Sequence, residues 1–276
     1  MKERPILITG ANGYAGARLY SDLIKNHKVV GTYHNNQLFP ELIKMDISNY
    51  THTLKTVESI NPSVIIHTAA LPSPRFCDKN REEARKVNVA GTLYLITAAN
   101  FINAKIIYLS SSAAANPQDL YGRTKKYSEE FISAETEAGY VILRPSLMLG
   151  YSPNAENDRP FNRILKNIKE KTPAVYDSSW KFQPTWLGHI SQTIEAVLEK
   201  NITGEIIPVS VPEMKSRFDV ARDILSQFGI KAEAKDEENK TPAIELPLEK
   251  LTELGIPQYN YSEIIEKCVK EIKDNI

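Results

Sequence analysis

Short apolar runs alternate with longer stretches of helical periodicity through the first half of the chain. Pro5–Thr9, Lys28–Tyr33, Val64–Thr68, Lys105–Ser110 and Tyr140–Arg144 are brief, apolar and bounded by polar or turn residues, which predicts strands. Tyr14–Lys25, Thr51–Ser59, Arg81–Asn100 and Tyr121–Ala138 lie between them with amphipathic patterning, which predicts helices. Strand and helix in regular turn point to a parallel sheet, because parallel neighbours need long crossover connections. Right-handed crossovers then give a doubly wound α/β sheet with ligands at the carboxyl ends of its strands.

The texture changes after Gly150. Residues 151–160 read as a loop, and helices are expected near Phe161–Lys171, Leu187–Lys200 and Phe218–Phe228, with short strands such as Glu205–Val209 and an exposed polar connection over Lys231–Lys240. The expected division is a nucleotide-binding domain over residues 1–150 and a smaller mixed α/β lobe over 151–276, with segments around 175–200 returning to the first domain. A chain of 276 residues is long enough for that plan.

Composition removes several classes of function. Lys+Arg and Asp+Glu both total 34, so no global basic field favours nucleic acid or an anionic membrane, and an anionic ligand has to be held locally. Met1-Lys-Glu-Arg4 leads directly into the first strand without a secretory signal, and no apolar span is long enough for a membrane. Two cysteines, Cys77 and Cys268, make no disulfide framework, and no Cys/His or acidic cluster has metal-ligand spacing; a cytoplasmic protein without a metal is expected.

Candidate chemistry begins at Thr9-Gly-Ala-Asn-Gly-Tyr-Ala-Gly16. Gly10, Gly13 and Gly16 stand after the first strand and open a helix, the place where a tight turn and free helix amides hold a pyrophosphate. This makes the domain Rossmann-type, with Asn12, Tyr14 and Ala15 in the same loop. The second strand ends Gly31-Thr-Tyr-His-Asn-Asn36 with no acid to accept ribose hydroxyls, so NADP is slightly favoured over NAD, with His34 beside the adenosine end and Asp46-Ile47 at the adenine. Tyr121 and Lys125 share one face of a helix by their spacing, and a fixed cation beside a phenol favours the phenolate. Ser112 lies nine positions upstream.

Taken together these marks resemble the extended short-chain dehydrogenase/reductase family. They are the glycine loop, Asp46-Ile47, His67-Thr-Ala-Ala70, Val87-Asn-Val89, Ser110-Ser-Ser112 and Tyr121-x-x-x-Lys125, continued by Arg144-Pro-Ser146 and Gln183-Pro-Thr185. Their order is most similar to the dTDP-4-dehydrorhamnose reductases and their relatives. The resemblance implies Tyr121 as general acid/base, Lys125 as the group that lowers its pKa and bonds the nicotinamide ribose, and Ser112 as the donor to the substrate carbonyl. It also implies cofactor contacts at Thr68, Ala69, Ala70, Ser110, Arg144 and Pro145, with Asn88 bracing the active-site loop.

A 4-keto-6-deoxy nucleotide sugar is the implied substrate; a homodimer is allowed, with nothing in the residues that fixes the assembly. Such a substrate needs cations and aromatic rings in the second lobe, where Arg159, Arg163, Lys181 and Arg217 accompany Trp180, Phe182 and Trp186. Two departures loosen that choice. Only Ala113–Leu120 separates Ser112 from Tyr121, a shorter link than in the sugar-nucleotide enzymes, and Leu147-Met148 stands where the reductases carry an aromatic. An epimerase or dehydratase, or a dinucleotide-binding regulatory subunit, remains open at this point.

Overall fold

In the computed structural model, residues 4–276 are described; Met1–Glu3, read above as part of the lead into the first strand, lie outside the described residues. The chain runs β1 (Ile6–Thr9), α1 (Tyr14–Leu23), β2 (Val29–Tyr33), β3 (Ile43–Lys44), α2 (Tyr50–Ile60), β4 (Val64–His67), α3 (Pro74–Lys79), α4 (Arg81–Arg85), α5 (Gly91–Phe101), β5 (Lys105–Leu109), α6 (Leu120–Glu135) and β6 (Tyr140–Pro145). It continues as β7 (Met148–Leu149), α7 (Pro160–Glu170), β8 (Ala174–Asp177), β9 (Lys181–Phe182), β10 (Thr185–Trp186), α8 (Leu187–Glu199), β11 (Glu205–Val209), β12 (Lys215–Ser216), α9 (Arg217–Leu225), β13 (Ala232–Lys235), α10 (Glu249–Glu253) and α11 (Tyr261–Asn275).

Seven strands form one sheet in the order β11-β6-β5-β4-β1-β2-β3, and every pairing in it is parallel. The doubly wound sheet expected from the alternation is present. Strand order reverses between β1 and β4, so the loops leaving these two strands diverge and open a crevice at their carboxyl ends. Side chains alternate between the two faces. Ile6 and Ile8 join one apolar cluster with Leu19, Leu143 and Val209, while Leu7 joins the other with Ile65, Ile106 and Leu95.

Three stretches differ from expectation. Arg81–Asn100 is not one continuous α-helix: a π turn at Lys86–Ala90 separates α4 from α5. Glu205–Val209, expected in the second lobe, is the edge strand of the main sheet in full register with β6, and α8 before it packs on α1. Ala232–Lys235, within the expected polar connection, pairs in parallel with β8 as a separate two-stranded sheet. The last helix is anchored by Glu271, whose carboxylate accepts from Arg18 Nη2 (2.8 Å), Tyr151 N (2.9 Å) and Trp186 Nε1 (3.0 Å). These bonds tie the chain end to α1 and to the segment beside the crevice.

Candidate active site

The chain leaves β1 through Gly10, whose φ of 68° lies in the left-handed region that strains any side chain. Gly16 is required for a different reason: a Cβ there would stand 2.1 Å from the Gly10 carbonyl oxygen, so only hydrogen lets α1 seat on the loop. Gly13 precedes α1 with no side-chain cap behind it and no acid in the first turn. The first amides of α1 therefore face the crevice with the positive end of the helix dipole, the donor set that suits a pyrophosphate.

Other expected cofactor residues turn out to build the loop's support. Thr68 Oγ1 donates to the Thr9 carbonyl (2.6 Å) and Ala69 N donates to Thr9 Oγ1 (3.3 Å), which fastens the ends of β4 and β1 together beside half-buried Ala70. Asn12 donates to the carbonyls of Asn35 (2.6 Å) and Asn36 (3.2 Å), so its side chain holds the turn after β2. Tyr14 is buried and donates to the Gly150 carbonyl (2.6 Å); Ala15 and Ile47 are buried as well. At Tyr14, Ala15 and Ile47 the side chains are buried, which leaves the backbone as the group these positions offer to a cofactor.

The side chains of Ser110 and Arg144 are likewise engaged within the protein. Arg144 grips Glu129 with two bonds (2.9 and 2.6 Å), and Ser110 Oγ donates to the same carboxylate (2.6 Å). Glu129 is 2% exposed, so this trio closes the space between β5, β6 and α6, next to buried Pro145. A buried carboxylate needs such partners. At the outer end of β2, His34 Nε2 lies 4.0 Å from Asp46 Oδ2, both well exposed. Burial pushes the Asp46 carboxyl up, but hydrogen bonds from Ser48 N and Oγ hold it below its ordinary range.

Tyr121 and Lys125 both lie on α6, which Asp119 caps by accepting from Gly122 N (2.7 Å). Lys125 is 3% exposed and turns inward, donating to the Leu109 carbonyl (2.8 Å) and standing 4.6 Å from the Tyr108 ring. Burial pulls its ammonium down to about 7. Beneath it the neutral ring of His67 meets Thr9 Oγ1 (2.8 Å) and Thr92 Oγ1 (3.1 Å). Asn88, inside the π turn, accepts from Leu71 N (2.8 Å) and donates to Thr124 Oγ1 (3.1 Å), bracing the loop after β4 against α6.

Two expectations about Tyr121 are revised. Burial pushes its phenol up to about 12, and what opposes burial is a hydrogen bond from Ser111 and the charge of Arg159; Cys77 and Asp119 add to the rise. Lys125, one turn along the same helix, sets its ammonium on the Leu109 carbonyl (2.8 Å). The hydroxyl at the phenol is Ser111, not Ser112. Ser110 faces Glu129, extended Ser111 (φ −161°, ψ 153°) faces the opposite way, and Ser112 begins a 3-10 turn. The alternation past the end of β5 held this information, provided the strand's last residue was known.

The second-lobe cations separate sharply. Lys181 is exposed in an ion pair with Asp219 (3.1 Å), and Arg163 is clamped by Asp158 (2.7 and 2.9 Å), so both already have a carboxylate partner. Arg159 is half-buried, and its charge is felt by Tyr121 and Tyr14. Arg217 lines a small cavity with Leu147, Leu149, Arg163 and Tyr176, and its guanidinium lies 5.5 Å from the Trp180 ring. Arg217 Nε and Trp180 Nε1 are buried donors without an acceptor among the described residues. Such donors are rare in a settled interior and suit a ligand oxygen.

The model of the RmlD substrate binding domain family matches residues 3–272. The chain belongs to this family. A dTDP-4-dehydrorhamnose reductase of Aggregatibacter actinomycetemcomitans is 28% identical over 221 residues, covering 75% of this chain and 71% of that protein. Methionine adenosyltransferase 2 subunit beta of Bos taurus is 24% identical over 247 residues, with 82% and 73% covered. Among solved structures, dTDP-4-dehydrorhamnose reductase from Bacillus anthracis in complex with NADP superposes with a TM-score of 0.84 at 23% identity, over 98% of this chain and all of that one (100%). UDP-glucose 4-epimerase from Thermus thermophilus in complex with NAD gives 0.85 at 16% identity, over 98% and 99%. At these identities the two structures speak for the fold. The family match spans both lobes, so the glycine loop, α6 and the Arg217 cavity all fall within it.

Proposed function

We propose that the protein is an NAD(P)-dependent reductase of a 4-keto-6-deoxy nucleotide sugar. The observation that carries this reading is the meeting of an uncapped glycine-loop helix with Tyr121 and its Ser111 partner at the carboxyl ends of the same sheet. The relatives named as reductases support the substrate class, and the NADP and NAD in the similar structures support the cofactor. The loop Gly10–Gly16 would hold the pyrophosphate, and a bound reduced nicotinamide supplies hydride. Ser111 and Tyr121 orient the carbonyl oxygen, and Tyr121 donates the proton that turns it into a hydroxyl. Arg217 and Trp180 offer N–H donors to the substrate's phosphates. A cytoplasmic homodimer completes the reading, with the free buried thiols of Cys77 and Cys268 in keeping with a reducing setting.

The test is oxidation of NADPH or NADH by the purified protein with dTDP-4-dehydrorhamnose. One cofactor is expected to be oxidised per sugar, and Tyr121→Phe is expected to keep cofactor affinity while turnover falls at least ~100-fold. Cofactor binding without oxidation by any nucleotide sugar would replace the reductase with a binding role. Tightly retained NAD with sugar conversion and no net oxidation would make it an epimerase.

A further inference from the structure

Tyr121, Lys125 and Glu129 follow one another at four-residue intervals on α6, so they share one face of the helix, and that face meets the exit of β5. Lys125 Nζ donates to the Leu109 carbonyl (2.8 Å), Glu129 Oε1 accepts from Ser110 Oγ (2.6 Å), and Ser111 bonds the Tyr121 phenol. The middle contact is locked from its far side. Ser110 N donates to the Leu143 carbonyl (2.8 Å) within the sheet, and the next residue, Arg144, sends two N–H groups to the Glu129 carboxylate (2.9 and 2.6 Å). A closed ring of bonds therefore joins β5, β6 and α6 at the residue that follows Leu109.

Glu129 is 2% exposed and Lys125 3%, so carboxylate and ammonium stand one helical turn apart, out of water. As a contribution to stability a buried ion pair such as Glu129–Arg144 gains little over apolar packing. What it supplies at this place is charge. The other titratable groups around Lys125 are His67 of β4, Cys77 of α3, Tyr108 of β5 with its ring 4.6 Å away, and Tyr121 on the same helix; Arg144 of β6 stands behind Glu129. Glu129 is the carboxylate of this set. Burial pulls the Lys125 ammonium down, and Glu129 is the first of the groups that oppose it. We propose that Glu129 is a positioning residue of the reaction: held by Arg144 and Ser110, its carboxylate keeps the Lys125 ammonium charged and seated on the Leu109 carbonyl, one turn from the acid. This rests on the reading of Lys125 as the cation that serves Tyr121 and the nicotinamide ribose. Sealed behind the exit of β5, Glu129 acts through Lys125.

The test reads the ammonium itself. Full-length protein carrying lysine labelled with carbon-13 at Cε is titrated by NMR, with the Lys125 resonance assigned by its loss in Lys125→Met. Glu129→Gln removes the charge at nearly constant volume and leaves Arg144 as a second buried cation, so the Lys125 midpoint is expected to fall by about one pH unit. Glu129→Asp keeps the charge and is expected to restore most of the wild-type value. The basic limb of kcat/KM, where Lys125 loses its proton, should move to lower pH with the midpoint, which lost packing would not cause. A midpoint in Glu129→Gln equal to wild type overturns the proposal, and so does an equal fall in Glu129→Asp. Should Glu129→Gln not fold, Arg144→Met reads the pair from its other side: loss of that cation should raise the Lys125 midpoint, and a value at or below wild type overturns the proposal. The titration needs no turnover, so a failed oxidation assay would remove the reductase reading while the ammonium still reports on Glu129.

Discussion

At the scale of single residues, neighbouring positions with the same side chain have different duties. Ser111 reaches the Tyr121 phenol, while Ser112 opens the 3-10 turn beyond it. Ser111→Ala is expected to lower kcat ~100-fold, the loss that follows removal of one donor at a reacting oxygen, whereas Ser112→Ala should stay within a factor of about three. Equal losses in steady-state kinetics would return the role to Ser112. The glycines divide by what surrounds them. A Cβ on Gly16 meets backbone at 2.1 Å, while one on Gly13 meets only the Gly10 carbonyl oxygen at 3.2 Å. Gly16→Ala should therefore lower the thermal midpoint sharply. Gly13→Val should fold yet bind NADPH at least ~10-fold more weakly, read by cofactor fluorescence; unchanged affinity would reject the loop's assignment.

At the scale of elements, α6 carries both Tyr121 and Lys125 and depends on its cap. Asp119 accepts from Gly122 N, and the chain just before Tyr121 is held by Leu120 N donating to Asp78 Oδ1 (3.1 Å). Asp119→Ala should reduce stability by about 1 kcal/mol in urea unfolding and reduce turnover beyond that loss, because the first turn it releases carries the phenol. A stability loss with wild-type turnover would separate the cap from the chemistry. This helix and the five expected strands were legible because their signals are local: a run, a period, a four-residue spacing. The π turn was not, since what braces Asn88 is the Leu71 backbone and Thr124, remote in sequence. Nor was the pairing of β13 with β8, which joins residues nearly sixty positions apart. The same limit applies to Arg163 and Lys181: residue type marked them as substrate cations, but their pairing with Asp158 and Asp219 is set by the fold.

At the scale of the whole molecule, two buried histidines set an acid limit on stability. Thr92 Oγ1 donates to the Asn88 carbonyl (2.7 Å), so His67 Nε2 is the donor toward Thr92 and Nδ1 accepts from Thr9. His189 Nε2 donates to the Pro257 carbonyl (2.8 Å), leaving Nδ1 in an apolar surround beside the Tyr259 ring. A second proton on His189 would be buried without an acceptor, and one on His67 would add a charge to a fully buried ring. Burial accordingly pulls His67 down to about 3, with the Lys125 charge adding to it, and His189 down to about 4. In the unfolded chain both protonate near 6.5, so the unfolded state binds more protons below that value. The stability they confer is complete above pH 6.5 and is lost as pH falls toward 4 and 3. At pH 5 each should have removed about 2 kcal/mol. Carboxylates held low, such as Asp219 at about 2, lose their contribution only below their unfolded value, so they leave the window above pH 5 to histidine. Urea midpoints at pH 7.5 and 5 should show His189→Gln losing about half as much stability as wild type over that interval. An identical loss in the two proteins would place the acid sensitivity outside His189 and leave the tie between α8 and the Pro257 carbonyl indifferent to protons.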